Sequence, residues 1–200
     1  MKTAVAIIGI GILLVGALVL LSQTMEGSFL RIAAYDPLPG SKERPQLLTF
    51  GMYVTPDPAQ NPIAPPERFI GFHTALDLEI HQNEVDDDIP VMAVCAGEVI
   101  QSGLVSGYGG LVVQRCNLQG EDVTVIYGHL DLDSLASSGA TVTSGEKIGI
   151  LAPANSEESG HTRKHLHLGI HKGHDIDVRG YVQTKEELEN FLDPKEVLDL

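Results

Sequence analysis

The sequence contains no tryptophan, and tyrosine and phenylalanine contribute only five residues each. A surface that stacks nucleic-acid bases is therefore not expected. Basic residues are also scarce, since 13 lysines and arginines stand against 27 aspartates and glutamates, for a formal net charge of −14. Because binding to a phosphate backbone needs a basic surface, this balance argues against a nucleic-acid partner.

Cysteine is nearly absent as well. The two cysteines, Cys95 and Cys116, are too few for a disulfide scaffold, and no Cys-x-x-Cys motif occurs. They are candidates for one disulfide in an oxidising compartment, and two buried thiols are the alternative. By contrast, 21 glycines and many strand-favouring residues predict a mainly β domain with tight turns, either a small barrel or a sandwich.

Charge is missing altogether between Thr3 and Met25, and residues 4–21 are all apolar or glycine. This run is near the length of a membrane span, exceeds the apolar region of a typical signal peptide, and is followed by no clear cleavage site. We therefore predict a transmembrane helix in residues 1–24, with the cytoplasmic membrane as partner and the domain on its periplasmic or cell-wall side. A cleaved signal peptide is the alternative. Residues 25–46, rich in proline and mixed charges, are predicted to be a linker.

The segment HLHLGI at residues 165–170 alternates between polar or small residues and large apolar ones. In a strand, His165 and His167 would share one face about 7 Å apart, while the leucines enter a core. Imidazole is the commonest protein ligand for zinc-like metals. By chance alone, about 0.3 such pairs are expected in this composition, so two partly exposed strand histidines remain the alternative.

A second alternating segment places His73 and Asp77 on one face of a strand, and His129 ends a third. Catalytic zinc takes three protein ligands and leaves one position for water. Two imidazoles and one carboxylate would supply these ligands, and the remaining two histidines would be free to handle protons. The residues alone do not decide which histidines play which part.

The order and context of several motifs resemble the lysostaphin-type zinc endopeptidases, a family of peptidoglycan hydrolases. The motifs are HTALD (73–77), VCAGEV (94–99), GYGGLVV (107–113), YGHL (127–130), GATVTSGEKIG (139–149) and HLH (165–167). The resemblance covers roughly residues 72–172. It implies an antiparallel β-sandwich or open barrel with a groove, similar to a duplicated hybrid motif. It also implies one Zn²⁺ held by His73, Asp77 and His167, with His129 and His165 as catalytic histidines.

This chain departs from the family pattern in three places. Ala75 stands where the family usually has glycine, residues 161–164 (HTRK) replace a Ser-Thr-Gly-x loop, and Leu168-Gly169 replaces Phe-Glu. None of these changes removes a ligand. Arg163 and Lys164 in the altered loop are candidates to bind a substrate carboxylate, and a solvated basic loop is the alternative.

Together these features predict a β domain at residues 47–174, followed by a tail with short helices at 175–200, where two capping signals occur. The expected function is a membrane-anchored, extracytoplasmic zinc endopeptidase that cuts peptide cross-links of peptidoglycan. The main alternative is a non-catalytic member of the same fold that binds the wall or regulates another hydrolase, although all five site positions are filled. A carrier-type sandwich and a periplasmic zinc-binding protein are weaker alternatives.

Overall fold

The computed structural model describes residues 34–61, 63, 64 and 67–200. These residues belong to one compact unit, Ala33–Leu200. The predicted anchor at 1–24 and the first part of the predicted linker lie outside the described residues. In the part of the chain that is described, no helix combines the length and the apolar character that a membrane crossing requires.

The described residues are mainly β, as predicted, and every strand pairing is antiparallel. The strands are β1 (Tyr53–Val54), β2 (Gly71–His73), β3 (Ala75–Glu79), β4 (Pro90–Met92), β5 (Gly97–Val105), β6 (Gly109–Leu118), β7 (Glu121–Leu130), β8 (Thr141–Val142), β9 (Lys147–Ile150), β10 (His165–Lys172), β11 (Tyr181–Val182) and β12 (Phe191–Leu192). Helices are short: 3-10 turns at Ser41–Glu43, Gln82–Glu84 and Leu132–Ser134, then α1 (Lys185–Leu188) and α2 (Pro194–Leu198).

The main sheet has the order β12-β10-β7-β6-β5-β8. Strand β3 also belongs to it, because β3 and β12 both pair with the edge of β10 that faces away from β7. Strand β3 lies along the first half of β10 and β12 along its second half. Two smaller sheets, β1-β2-β11 and β4-β9, accompany it. Strand β10 is therefore flanked on both sides, so its side chains are held by neighbours from distant parts of the sequence.

Alternation along these strands produces two buried clusters. Leu166, Leu168 and Ile170 of β10 enter the larger one, together with Leu76 and Leu78 of β3. The opposite face of the sheet carries a smaller cluster, made of Tyr108, Leu111, Val113, Ile126, Val182 and Phe191. The histidines of β10 point to this second face, so the polar site adjoins the smaller cluster and the larger cluster supports it from behind.

Residues 34–46, the described part of the predicted linker, are packed against the β domain. Leu38 is fully buried in the larger cluster. Arg44 is buried and donates to both carboxylate oxygens of Glu84 at 2.7 and 3.0 Å and to the carbonyl of Glu79 at 3.2 Å. The segment is therefore part of the domain, because a bidentate ion pair and an apolar anchor fix it to the sheet.

The C-terminal tail contains the two predicted helix starts. Thr184 and Glu187 form a capping box at α1, and the Asp193 side chain caps α2 with proline at its first position. The tail also contributes β11 and β12, which were not predicted. Because β11 pairs with β2, the tail forms part of the wall beside His73.

Cys95, which precedes β5, forms a disulfide with Cys116 of β6, and their Cα atoms are 6.2 Å apart. Both residues lie in the larger buried cluster. The bond joins positions 21 residues apart in sequence.

Candidate active site

The register of β10 brings the site residues together. His167 lies opposite Asp77 of β3 on one side and Gly128 of β7 on the other. His165 lies opposite Glu79. His73 ends β2, immediately before β3, and its ring lies 5.0 Å from that of His167. Antiparallel pairing thus places Asp77 beside His167 on one face of the main sheet. His73 and Asp77 were predicted to share one strand, but His73 ends β2 of the small sheet and reaches the other two residues from there.

Three ligand atoms form a nearly equilateral triangle. His73 Nε2 lies 3.4 Å from Asp77 Oδ1 and 3.3 Å from His167 Nδ1, and the last two atoms are 3.2 Å apart. A tetrahedral zinc with ligand bonds of about 2.0–2.1 Å needs ligand atoms about 3.3–3.4 Å apart. Asp77 Oδ1 is buried and has no hydrogen-bond partner. The three residues therefore fit a zinc ion. Among the described residues, they are the cluster of ligand-type side chains that could hold a metal ion.

The charge states of these groups suit metal binding. Burial alone would raise the pKa of the Asp77 carboxyl, but the nearby His165 and His73 hold it well below its usual range. Burial lowers the pKa of His167 to about 4, although Asp77 opposes the shift. At neutral pH the site therefore offers an ionised carboxylate and a neutral imidazole, the forms that bind metals.

Tyr108 fixes the orientation of His167. Its hydroxyl donates to the carbonyl of Val178 at 2.7 Å and lies 3.4 Å from His167 Nε2. Burial raises the pKa of Tyr108, so the phenol stays protonated. With its proton directed to Val178, the oxygen can accept from Nε2–H, which leaves Nδ1 free to face the metal position. Glycine is required at position 128 because a Cβ there would lie 2.6 Å from the Tyr108 ring.

His129 reaches the site through a break in its strand. On β7, Tyr127 points into the larger cluster, and simple alternation would send His129 the same way. Instead the pairing with β6 shifts between Gly110 and Leu111, and His129 takes a left-handed backbone with φ of 66°. This extra residue is a β-bulge, which redirects the imidazole towards the cleft.

The two remaining histidines are held in one tautomer each. His129 Nδ1 lies 2.9 Å from the carbonyl of Tyr108 and 2.8 Å from that of Ser159. His165 Nδ1 lies 2.9 Å from the carbonyl of Arg163. Because carbonyls only accept, both Nδ1 atoms carry the proton, and both rings present an unprotonated Nε2 when neutral. The rings are 4.5 Å apart, and burial, with the neighbouring histidines, lowers the pKa of His129 well below its usual value.

Arg163 and Lys164, predicted to bind substrate, are engaged within the protein. Arg163 donates to Asp77 Oδ2 at 2.6 Å, to Glu79 at 2.9 and 3.0 Å, and to Glu67 at 3.0 Å. Lys164 is 7% exposed and its ammonium donates to the carbonyls of Val85 and Asp87. In this arrangement both side chains are therefore bound to acceptors within the protein and are not presented to a substrate carboxylate.

A cleft of about 780 Å³ opens beside the site. Its walls include residues that were not predicted from the sequence as part of a site, notably Glu67, Arg68, Tyr108 and Tyr181. Only Tyr108 lay in a motif of the resemblance, the GYGG turn. Glu67 and Tyr181 come from a proline-rich loop and from the tail, and no local sequence pattern marks them.

The profile of the family described as peptidase family M23 matches residues 71–178, more than half of the chain. The chain belongs to this family. The matched range contains all five histidine and aspartate positions of the site. No curated protein matches the chain significantly.

Solved structures share the fold. Lysostaphin from Staphylococcus simulans is 18% identical, with a TM-score of 0.50, over 78% of this chain and 49% of that one. LytU is 20% identical with a TM-score of 0.50, over 78% and 86% of the two chains. A chain of the SpoIIQ–SpoIIIAH pore-forming complex is 16% identical with a TM-score of 0.52, over 83% and 90%. This chain therefore spans about half the length of lysostaphin, and these likenesses establish the fold alone.

Proposed function

We propose that this protein is a zinc-dependent endopeptidase that hydrolyses peptide cross-links of peptidoglycan. Membership of peptidase family M23 supports peptide hydrolysis as the class of reaction. The observation that carries the proposal is the triangle of His73, Asp77 and His167 atoms with edges of 3.2–3.4 Å, adjoining two further imidazoles. A non-catalytic relative would have no need for both sets of residues.

The proposed chemistry divides the five residues into two groups. His73, Asp77 and His167 would hold Zn²⁺, which supplies Lewis acidity towards a scissile carbonyl and lowers the pKa of a bound water. His129 and His165 line the cleft, and their Nε2 atoms carry no proton when the rings are neutral, so each could accept a proton from the attacking water. Once protonated, the same Nε2–H can donate to the developing oxyanion or to the leaving amine.

We also propose that the domain works outside the cytoplasmic membrane, attached by an N-terminal helix. Two features support this location. The uncharged run at residues 4–21 is of membrane-spanning length. The Cys95–Cys116 disulfide is of a kind that persists in oxidising compartments.

Arg68 is our candidate for recognition of a substrate carboxylate, in place of Arg163 and Lys164. It lines the cleft, its guanidinium lies 4.9 Å from the centre of the Phe69 ring, and it donates to the carbonyl of Gly160 at 3.2 Å. Among the described residues, no carboxylate pairs with it. We expect Arg68→Gln to raise KM about tenfold for peptides with a free carboxylate, and to leave KM unchanged for the same peptides with that carboxylate amidated. Equal changes for both substrates would contradict this role.

The central test uses two histidines of one strand and one face. Zinc content and digestion of purified peptidoglycan are measured for the full-length wild type, His167→Ala and His165→Ala, with products identified by mass spectrometry. We expect His167→Ala to lose zinc and activity together, since two protein ligands remain. His165→Ala should keep zinc near one per chain and lose on the order of 10²-fold in rate.

Two results would contradict the proposal in different ways. Loss of zinc from His165→Ala, with retention in His167→Ala, would reverse the ligand assignment. A wild type that binds zinc and cuts no wall peptide would instead favour the wall-binding or regulatory alternative. His73→Ala and Asp77→Ala are expected to behave as His167→Ala, and His129→Ala as His165→Ala.

A further inference from the structure

Arg163 stands at an unusual place in this site. In the resemblance drawn from the sequence, its position falls in a loop where the family usually has Ser-Thr-Gly-x. Here the side chain is long, charged and 20% exposed, and it reaches the carboxylate of Asp77. A glycine could make no such contact, so this feature belongs to the present chain and not to the general pattern.

Three carboxylates converge on the guanidinium. Glu79 accepts from Nε at 2.9 and 3.0 Å, Glu67 from one terminal nitrogen at 3.0 Å, and Asp77 Oδ2 from the other at 2.6 Å. Their side chains are 15% exposed or less. A planar guanidinium held from several sides has little freedom to rotate, so its hydrogen bond to Asp77 has a fixed direction.

The two oxygens of Asp77 therefore differ in their surroundings. Oδ2 is occupied by Arg163 and lies 3.3 Å from His165 Nε2. Oδ1 is buried, has no hydrogen-bond partner, and faces His73 and His167. An unrestrained carboxylate could turn about its last bond and present either oxygen or both.

We propose that Arg163 is a positioning residue that holds Asp77 with a single oxygen directed at the metal, and that Glu79 and Glu67 hold Arg163 for this purpose. The inference rests on the proposed zinc site. Groups that orient metal ligands typically change metal affinity by 10- to 100-fold when they are replaced. Leaving Oδ2 engaged also keeps one coordination position open for water and substrate, as catalysis requires.

If only the net charge near the metal mattered, Arg163→Gln and Glu79→Gln would change zinc affinity in opposite directions. Removal of a cation near the metal would strengthen zinc binding, whereas removal of the Glu79 anion would weaken it. If Arg163 acts by positioning, Arg163→Gln and Glu79→Gln both weaken zinc binding, because both release the Asp77 carboxylate. The two variants together therefore separate orientation from simple electrostatics.

The experiment measures the zinc dissociation constant of full-length protein by competition with a chromophoric chelator. We expect 10- to 100-fold weaker binding in Arg163→Gln, a smaller loss in Glu79→Gln, and an intermediate value in Arg163→Lys, which keeps the charge and loses the planar fork. The visible spectrum of the Co²⁺-substituted protein should change in Arg163→Gln, because Asp77 gains a second free oxygen.

Lys164→Gln is the matched control. Lys164 is the next residue, is more deeply buried, and holds the 85–87 turn without touching Asp77. Its zinc affinity and Co²⁺ spectrum should equal those of the wild type, even if the melting temperature falls. An equal loss of zinc affinity in Lys164→Gln would assign the effect to the loop and overturn the inference.

Other results of the zinc-binding measurement also test the inference. Arg163→Gln that binds zinc as tightly as the wild type, or more tightly, overturns the inference and leaves the proposed function standing. A wild type that binds no zinc overturns both. If Arg163→Gln does not fold, Glu79→Gln and Arg163→Lys carry the same comparison, since both retain a cation among the acidic side chains.

Discussion

The left-handed backbone of His129 can be tested by a pair of substitutions at one position. His129→Ala and His129→Gly both remove the imidazole, so both should lose on the order of 10²-fold or more in hydrolysis rate. They differ in backbone preference. With φ at 66°, alanine costs about 1–2 kcal/mol, whereas glycine adopts this conformation freely.

The opposing effect is the greater freedom of glycine in the unfolded chain, worth about 0.4–1 kcal/mol. The difference leaves His129→Gly more stable than His129→Ala by about 0.5–1 kcal/mol. With a denaturant slope of about 2 kcal/mol per molar urea, the midpoints should lie roughly 0.3–0.5 M apart. Urea unfolding followed by circular dichroism measures this difference directly.

Glu98 provides the reference position. It is exposed on β5, and its φ is not positive. There the order should reverse, with Glu98→Ala more stable than Glu98→Gly by about 0.4–1 kcal/mol. If alanine is also the more stable residue at position 129, the backbone there is not left-handed. The bulge would then be absent, and His129 would not be directed into the cleft.

Two further predictions concern stability. The Cys95–Cys116 bond closes a loop of 21 residues, so its loss by a Cys95→Ala/Cys116→Ala double substitution should cost about 3.3 kcal/mol from loop-closure entropy. A free energy of unfolding within about 1 kcal/mol of the wild type would refute a stabilising bridge. Arg44 lowers the pKa of Glu84 through their hydrogen bonds. Since the folded pKa lies below the unfolded value, the wild type should exceed Glu84→Gln in stability above about pH 5, and the gap should close as pH falls through the folded pKa. A gap that is independent of pH between 3 and 7 would contradict this pairing.

Strand alternation predicted which side chains share a face, and this part of the site followed from sequence. His165 and His167 occupy one face of β10, with leucines buried on the other. Asp77 lies opposite His167 because β3 pairs with β10. The period of two residues is a local property, so it can be found in a sequence once the strand is recognised.

The missed features depend on contacts between distant segments. Residues 34–46 contain the prolines and mixed charges of a linker, but Arg44 finds Glu84 forty residues away and fixes the segment to the domain. The bulge at His129 depends on pairing with Gly110, on another strand. Neither residue carries a local pattern that distinguishes it, because the conformation is imposed by the partner strand or the partner charge.

Arg163 shows why a basic residue near a predicted metal site is difficult to interpret from sequence. Its position beside the histidine pair suggested an exposed cation for substrate, whereas the fold surrounds it with Asp77, Glu79 and Glu67. Three carboxylates against one guanidinium leave a formal charge of −2 in a largely buried cluster, and buried charge is costly unless it is compensated. A divalent cation at His73, Asp77 and His167 would supply the missing charge. The same acidic cluster that removes Arg163 from substrate binding thus gives the site an electrostatic reason to take a divalent metal.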